Sequence, residues 1–142
     1  MPDRLNRPLL DIKNLRIEFP SRRGTLVAVD DISLTIDPGE VLGVVGESGA
    51  GKSLTGMSVI GLLEPPGRIA AGRIFLDGRR IDNLSYGSMR QIRGKEIGAI
   101  FQDPLTSLNP LFTVGEQLTE TIRTHLYLTE AAARTRAIDL LK

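Results

Sequence analysis

The residues with the clearest chemical potential are 46–53, which read Gly-Glu-Ser-Gly-Ala-Gly-Lys-Ser. They fit the pattern G-x-x-x-x-G-K-[ST], whose glycines let backbone N–H groups converge on an anion. We expect Gly49 and Gly51 to adopt positive φ for this purpose. Lys52 is then placed to reach the β- and γ-phosphates of a nucleotide, and the Ser53 hydroxyl to bind Mg²⁺. The pattern predicts a loop that holds phosphates, but it specifies neither the nucleotide nor its hydrolysis.

The segments on either side of this loop agree with the prediction. Residues 41–45 are apolar at almost every position, which is expected for a strand covered on both faces in a mostly parallel sheet. Residues 52–63 show helical spacing, and Pro65-Pro66-Gly67 predicts the end of that helix. A buried strand, a glycine loop and a helix are the context that a phosphate loop requires, whereas the alternative, an ordinary Gly-rich turn, does not require it.

The remaining pattern predicts strands around the loop and helices after it. Alternating or β-branched runs predict strands at 10–19, 26–29 and 32–36, which form antiparallel pairs, and at 73–76 and 97–101. Helices are predicted at 88–93, at 114–126, and from Thr129, as N-cap, through residue 141. This arrangement is typical of an α/β protein.

Composition narrows the class of protein. The 142 residues suffice for one domain with a core. With 18 Lys and Arg against 17 Asp and Glu, the net charge is near zero and creates no positive potential that would attract nucleic acid. We therefore predict no nucleic-acid partner. The chain has no cysteine, which excludes disulfides and thiolate metal sites and fits a reducing compartment such as the cytoplasm. Its apolar runs are far shorter than the roughly 20 residues of a membrane span, and its first ten residues lack the apolar segment of a signal peptide.

Hydrolysis would also need an acidic residue after a second buried strand, to hold the metal. Asp77 is the best candidate, but it follows only three apolar residues and precedes Gly78, and Asp-Gly is favoured in tight turns. We therefore predict that Asp77 lies in a turn. No other apolar run ends in a suitable acid, so the chain is predicted to bind nucleotide without completing a catalytic site.

Beyond the loop, the sequence resembles the ATP-binding subunits of ABC transporters, and among them the dipeptide, oligopeptide and nickel importer class. The resemblance extends over nearly the whole chain. Residues 28–40, Ala-Val-Asp-Asp-Ile-Ser-Leu-Thr-Ile-Asp-Pro-Gly-Glu, resemble the family's approach to the phosphate loop. Residues 103–110, Asp-Pro-Leu-Thr-Ser-Leu-Asn-Pro, which follow Ile-Arg-Gly-Lys-Glu-Ile-Gly at 92–98, resemble the importer class most specifically.

The resemblance implies two further site residues. Phe19 falls where these proteins stack an aromatic ring on adenine, although by itself it would be interpreted as a strand core residue. Gln102, which ends Ala-Ile-Phe-Gln, matches a glutamine that approaches Mg²⁺ and the attacking water in a loop that also contacts the membrane subunits; the alternative is a solvated loop amide. Lys52 and Gln102 are thus predicted to be catalytic, and Ser53 and Gln102 to bind the metal. The predicted nucleotide-binding residues are Phe19, Gly46, Glu47, Ser48, Gly49, Ala50, Gly51, Lys52, Ser53, Leu54 and Thr55.

The resemblance also implies a fold and a role. The fold is that of a P-loop NTPase, truncated, with an antiparallel β-subdomain at 9–40, a P-loop core with the glutamine loop at 41–112, and the start of a helical subdomain at 113–142. The implied role is that of an importer's motor subunit, peripheral on the cytoplasmic face of the inner membrane. In that role, two such ATPase subunits bind Mg-ATP and drive peptide or nickel uptake through transmembrane permease subunits. A periplasmic or extracellular substrate-binding protein brings the substrate to the permease. The alternatives are a soluble ABC-type ATPase and a nucleotide-binding module without catalysis.

Several family features have no counterpart in the sequence. The signature segment Leu-Ser-Gly-Gly-Gln, the second acidic motif with its catalytic glutamate, and the late switch histidine are absent. The single histidine, His125, is predicted on a helix surface. In the family these features follow the segments that match here, so the resemblance covers the front half of a family member. The last predicted helix has no stop signal before Lys142. We therefore expect exposed sheet edges, and with them marginal stability, aggregation or self-association.

Overall fold

The computed structural model describes residues 7–102 and 108–142, so most of the predicted 103–110 motif lies outside the described residues. The chain divides into two compact units, Met1–Met89 and Arg90–Lys142. The strands are β1 (Leu10–Ser21), β2 (Gly24–Ile36), β3 (Arg68–Leu76) and β4 (Arg79–Arg80). The helices are α1 (Lys52–Val59), α2 (Tyr86–Ile92), α3 (Val114–His125) and α4 (Glu130–Leu140).

The first unit is built on an antiparallel four-stranded sheet in the order β2-β1-β3-β4. The predicted runs at 26–29 and 32–36 form one strand, β2, which pairs antiparallel with β1 as expected. β3 pairs antiparallel with the other edge of β1, and β4 pairs antiparallel with β3. The sheet therefore extends beyond the predicted β-subdomain at 9–40, and the predicted domain boundaries stay predictions.

The buried side chains of the central strand β1 form much of the core of this unit. Ile12, Leu15 and Ile17 are at most 2% exposed, but their spacing breaks strict alternation. The break lies at Asn14, where φ is 49° and the pairing register shifts, as in a β-bulge. The side-chain amide of Asn14 donates to Asp31 on β2 over 2.7 Å, so the bulge is tied to the neighbouring strand.

Two predicted strands do not form. Residues 41–45 and 97–101 join no sheet in the described part of the chain, apart from a single bridge between Arg93 and Ile97. Val45, which was predicted to lie in a strand covered on both faces, is 98% exposed, and Ile100 of the second predicted strand is 97% exposed. An apolar run indicates suitability for a covered strand, but the strand itself needs neighbours to accept its backbone hydrogen bonds. The prediction of these two strands was wrong for that reason.

Helix α1 begins where predicted but ends earlier. It stops at Val59 because Gly61 adopts φ of 64° and closes a Schellman turn. In that turn Leu62 N–H donates to Met57 O over 2.9 Å, and Gly61 N–H donates to Ser58 O over 3.2 Å. The prediction of a helix through residue 63 counted Gly61 as part of the repeat, whereas it is the terminator.

The predicted turn at Asp77 is confirmed. Asp77 and Gly78 have φ of 46° and 76°, the paired positive values of a type I′ hairpin turn, and they connect β3 to β4. The Asp77 carboxylate also accepts hydrogen bonds from the Arg7 guanidinium, the shorter over 2.9 Å. Asp77 is therefore engaged in a turn and an ion pair.

The second unit contains two helices with side-chain caps. The Thr113 hydroxyl accepts from the Glu116 N–H, and the Glu116 carboxylate accepts from the Thr113 N–H and hydroxyl, which lowers the pKa of Glu116. Thr129 caps α4 as predicted, by accepting from the Ala132 N–H. The helices share a small core, and no helix within 7–102 or 108–142 is long and apolar enough to cross a membrane. That core consists of Leu118, Ile122, Ala133 and Ala137.

The start of α1 lies directly against β2. A Cβ atom on Gly51 would lie 2.8 Å from Val29 Cγ2, which is closer than real Cβ contacts, and 3.0 Å from Ala28 O, which is tighter than most of them. Gly51 also has φ of 81°, so both its backbone conformation and its surroundings require glycine. Strand β2 therefore fixes where the glycine loop ends and α1 begins.

We predict that Gly51→Ala destabilises the chain much more than Gly49→Ala does. Gly49 has nearly the same φ, 84°, but nothing lies within 4 Å of its would-be Cβ. Gly49→Ala should therefore cost only the left-handed penalty of about 1 kcal/mol, whereas Gly51→Ala should cost roughly 2 kcal/mol more from overpacking against β2. Urea unfolding midpoints measure the difference. Equal losses in the two variants would contradict the close approach to β2.

Candidate phosphate-binding site

The loop at 46–53 has the backbone conformation that its glycines predict. Gly49 and Gly51 have φ of 84° and 81°, a left-handed conformation that side chains disfavour. Between them, Ala50 N–H donates to Glu47 O over 3.2 Å, closing a tight turn. Gly46, Glu47, Ser48, Gly49 and Ala50 are all exposed, so the loop is accessible to a ligand.

Lys52 spans the loop with its side chain. Its Nζ lies 2.6 Å from Gly46 O and 2.6 Å from Glu47 O, so the ammonium group donates to two carbonyls at the start of the loop. An ammonium group has three N–H donors, and these contacts use two of them. The third remains available to an anion, and the positive charge is already held at the loop.

The N-terminus of α1 has no side-chain cap. Gly51 is its N-cap, no side chain accepts a hydrogen bond from the first N–H groups, and no acidic residue lies in the first turn. The first N–H groups of a helix have no intrahelical acceptor, and the helix dipole makes this end attractive to an anion. In α3 and α4, by contrast, the side chains of Thr113 and Thr129 accept hydrogen bonds from first-turn N–H groups, and each helix has an acidic residue in its first turn. The combination of uncapped N–H groups, a glycine turn and a lysine fits the phosphate groups of a nucleotide.

The other predicted residues of α1 differ in what they offer. Ser53 is exposed in the first turn, where its hydroxyl is accessible to a metal ion bound beside the phosphates. Leu54 and Thr55 are half-buried. The Thr55 hydroxyl and N–H both donate to Gly51 O, over 3.0 and 2.9 Å, so its hydroxyl would have to rotate away to donate to a phosphate. In the described residues no group of three or more His, Cys, Asp or Glu could hold a metal ion.

The residues implied by family resemblance lie elsewhere in the chain. Phe19 is half-buried near the end of β1, where it pairs with Leu26 of β2. Gln102 is exposed and belongs to the second unit, and both assignments stay predictions. His125 was predicted on a helix surface, but it is half-buried: a Cβ atom on Gly94 would lie 2.6 Å from its Nε2.

Sequence reasoning did not identify the residues that support the loop. Ala28 and Val29 of β2 meet Gly51, yet neither stands out by type or spacing. Their only sequence signal is the run at 28–40, which precedes the loop and resembles the family's approach to it. A pairing between an apolar strand residue and a loop glycine is a tertiary contact, so periodicity alone does not reveal it.

Nearly the whole chain is similar in sequence to ATP-binding proteins of known transporters. The chain is 44% identical over 135 residues to an oligopeptide transport ATP-binding protein of Bacillus subtilis, a match that covers 94% of this chain and 38% of that protein. It is 42% identical to a dipeptide transport ATP-binding protein of Haemophilus influenzae, covering 94% of this chain and 41% of that protein. The chain thus spans about two fifths of the length of these relatives.

Solved structures and a family comparison also point to ABC transporter proteins. A bacterial ABC transporter cassette solved as a dimer superposes with a TM-score of 0.76 at 26% identity, covering 92% of this chain and 54% of that one. The post-hydrolysis dimer of an ATP-binding cassette bound to ADP and Pi superposes with a TM-score of 0.79 at 23% identity, with the same coverage, which shows the fold alone. The predicted fold class is confirmed. Residues 29–142 match the family described as ABC transporter, and the chain therefore belongs to that family.

Proposed function

We propose that this chain binds Mg-ATP through the loop at 46–53 as part of the motor subunit of an ABC importer. The observation that carries the proposal is the uncapped N-terminus of α1 beside the glycine turn, with the Lys52 ammonium already at the loop carbonyls. Positive charge, free N–H groups and an exposed loop are together the chemistry that recognises a polyphosphate.

The nucleotide, when bound, supplies a phosphoryl group whose transfer releases energy. The loop residues would hold its phosphates with backbone N–H groups, and Lys52 would neutralise part of their charge with its third donor. The exposed hydroxyl of Ser53 would bind Mg²⁺. Phe19 would stack on the adenine base, and Gln102 would contribute an amide oxygen to the metal. In the whole protein, Lys52 and Gln102 would be catalytic.

The transport role rests on the relatives. Proteins named for oligopeptide and dipeptide transport are 44% and 42% identical to this chain, so peptide uptake is the function that we propose for the whole protein. Its partners would be transmembrane permease subunits, a second ATP-binding subunit and, indirectly, a periplasmic or extracellular substrate-binding protein. Such a subunit would lie at the cytoplasmic face of the inner membrane as a peripheral protein and hydrolyse ATP there.

For the 142 residues by themselves, we propose nucleotide binding without turnover. The observation that favours this second function is the position of Asp77, the best candidate for a metal-holding acid, in a hairpin turn and an ion pair with Arg7. An acid held in this way is not presented to a phosphate-bound metal. Phosphate release from ATP by the purified chain would contradict this proposal.

We predict that Lys52→Ala weakens ATP binding by roughly 10- to 100-fold, the effect of losing a charge-assisted hydrogen bond. Titration with a fluorescent ATP analogue measures the loss. Lys142→Ala is a matched control, because it removes the same charge from the other unit. Lys142 forms an ion pair with Asp139 at the end of α4, away from the loop. Equal affinities for the two variants would refute the phosphate-binding role of Lys52.

We predict that Ser53→Ala removes the increase in ATP affinity that Mg²⁺ produces, while binding without Mg²⁺ stays close to that of the unmutated chain. The reason is that the substitution deletes a hydroxyl ligand of the metal and leaves the backbone N–H groups in place. Titrations with Mg²⁺ and with excess EDTA measure the two affinities. If Mg²⁺ still strengthened binding to Ser53→Ala by the original factor, the metal-binding role of Ser53 would be wrong.

A further inference from the structure

Phe19 of β1 lies opposite Gly67, the residue that directly precedes β3. The antiparallel register pairs Glu18 of β1 with Arg68, the first residue of β3, so Phe19 stands opposite Gly67. A Cβ atom on Gly67 would lie 2.7 Å from Cε1 and 2.9 Å from Cζ of the Phe19 ring. The ring therefore occupies the space that any side chain at position 67 would need.

Space, and not backbone conformation, is what demands glycine at position 67. Gly67 is not among the glycines with positive φ, so an L-residue could adopt its backbone angles. This distinguishes it from Gly51, where φ and packing act together. A side chain at position 67 would therefore meet the ring and the backbone oxygen of Glu64, but it would not require a disfavoured φ.

The segment that carries Gly67 is held in place from both sides. Gly67 N–H donates to Glu64 O over 2.8 Å, and the two residues between them are prolines with restricted φ. On the strand side, the Arg68 guanidinium lies 3.5 Å from the Glu18 carboxylate. A second arginine, Arg16, also bonds that carboxylate and is the first cause of the lowered pKa of Glu18. The backbone around Gly67 is therefore held by a turn on one side and by an ion pair on the other.

We propose that Gly67 is a positioning residue for nucleotide binding: its missing side chain lets the Phe19 ring take the orientation in which it stacks on the adenine base. This inference rests on the stacking role of Phe19 in the proposed function. A methyl group at position 67 would displace the ring, because the turn and the ion pairs prevent the backbone from yielding. The loss would fall on recognition of the base and leave recognition of the phosphates intact.

The test compares ATP with inorganic tripolyphosphate, which carries the phosphates without a base. Calorimetric titration of the unmutated chain, Gly67→Ala, Phe19→Ala and Lys52→Ala with each ligand separates the two parts of the site. We expect Gly67→Ala and Phe19→Ala to weaken ATP binding by on the order of tenfold, the effect of losing one base–aromatic stack. Neither should change tripolyphosphate binding, whereas Lys52→Ala should weaken the binding of both ligands.

A double-mutant cycle separates the ring from the turn, because a Cβ on Gly67 would also lie 2.8 Å from Glu64 O. If Gly67 acts through the ring, Gly67→Ala should have no further effect on ATP affinity in a Phe19→Ala background. Gly87→Ala is the matched control: it lies in α2 of the same unit, and nothing is within 4 Å of its would-be Cβ. It should leave the binding of both ligands unchanged.

The outcomes are distinguishable. If the unmutated chain bound neither ligand, the proposed function would be refuted, and this inference with it. ATP affinity unchanged in Phe19→Ala would refute the stacking role on which the inference depends. ATP affinity lowered in Phe19→Ala but unchanged in Gly67→Ala would overturn the inference alone. A full effect of Gly67→Ala in the Phe19→Ala background, or an equal loss of tripolyphosphate binding, would show that Gly67 acts through the turn.

Discussion

The close approach of the Gly51 backbone to β2 is the constraint on which the phosphate-binding loop depends. Because Gly51 has no Cβ, the chain passes within van der Waals distance of Ala28 and Val29 and turns directly into α1. This places the uncapped first turn of the helix beside the exposed loop. The Lys52 ammonium then holds the other end of the loop by its carbonyls. One contact with the sheet and two hydrogen bonds thus position the phosphate-binding loop.

The sequence predicted the loop better than the sheet around it. Positive φ at Gly49 and Gly51, the start of α1, the turn at Asp77 and the Thr129 cap all follow from local chemistry, and the structure confirms them. Each depends on residues adjacent in the chain, so a short window contains the necessary information. The end of α1 was also local, but Gly61 was interpreted as part of the helical repeat instead of its terminator.

What the sequence did not predict depends on contacts between distant residues. Residues 41–45 and 97–101 have the composition of covered strands, yet they join no sheet in the described part of the chain, and Val41 is 96% exposed. Strand propensity reflects packing against neighbours, so a suitable run is not sufficient. The support of Gly51 by β2 and the contact of Gly67 with Phe19 are likewise tertiary, and residue type and spacing reveal neither. The roles of Phe19 and Gln102 came from family resemblance and stay predictions.

The uncapped start of α1 is the part of the chain that we propose binds the phosphates of a nucleotide. The most direct test follows backbone N–H resonances by NMR during titration with ATP. The largest shifts should occur at Gly49, Gly51, Lys52 and Ser53, whereas the first turns of α3 and α4, which Thr113 and Thr129 cap, should not respond. Shifts spread evenly over all three helix starts, or confined to residues outside 46–53, would contradict the proposal.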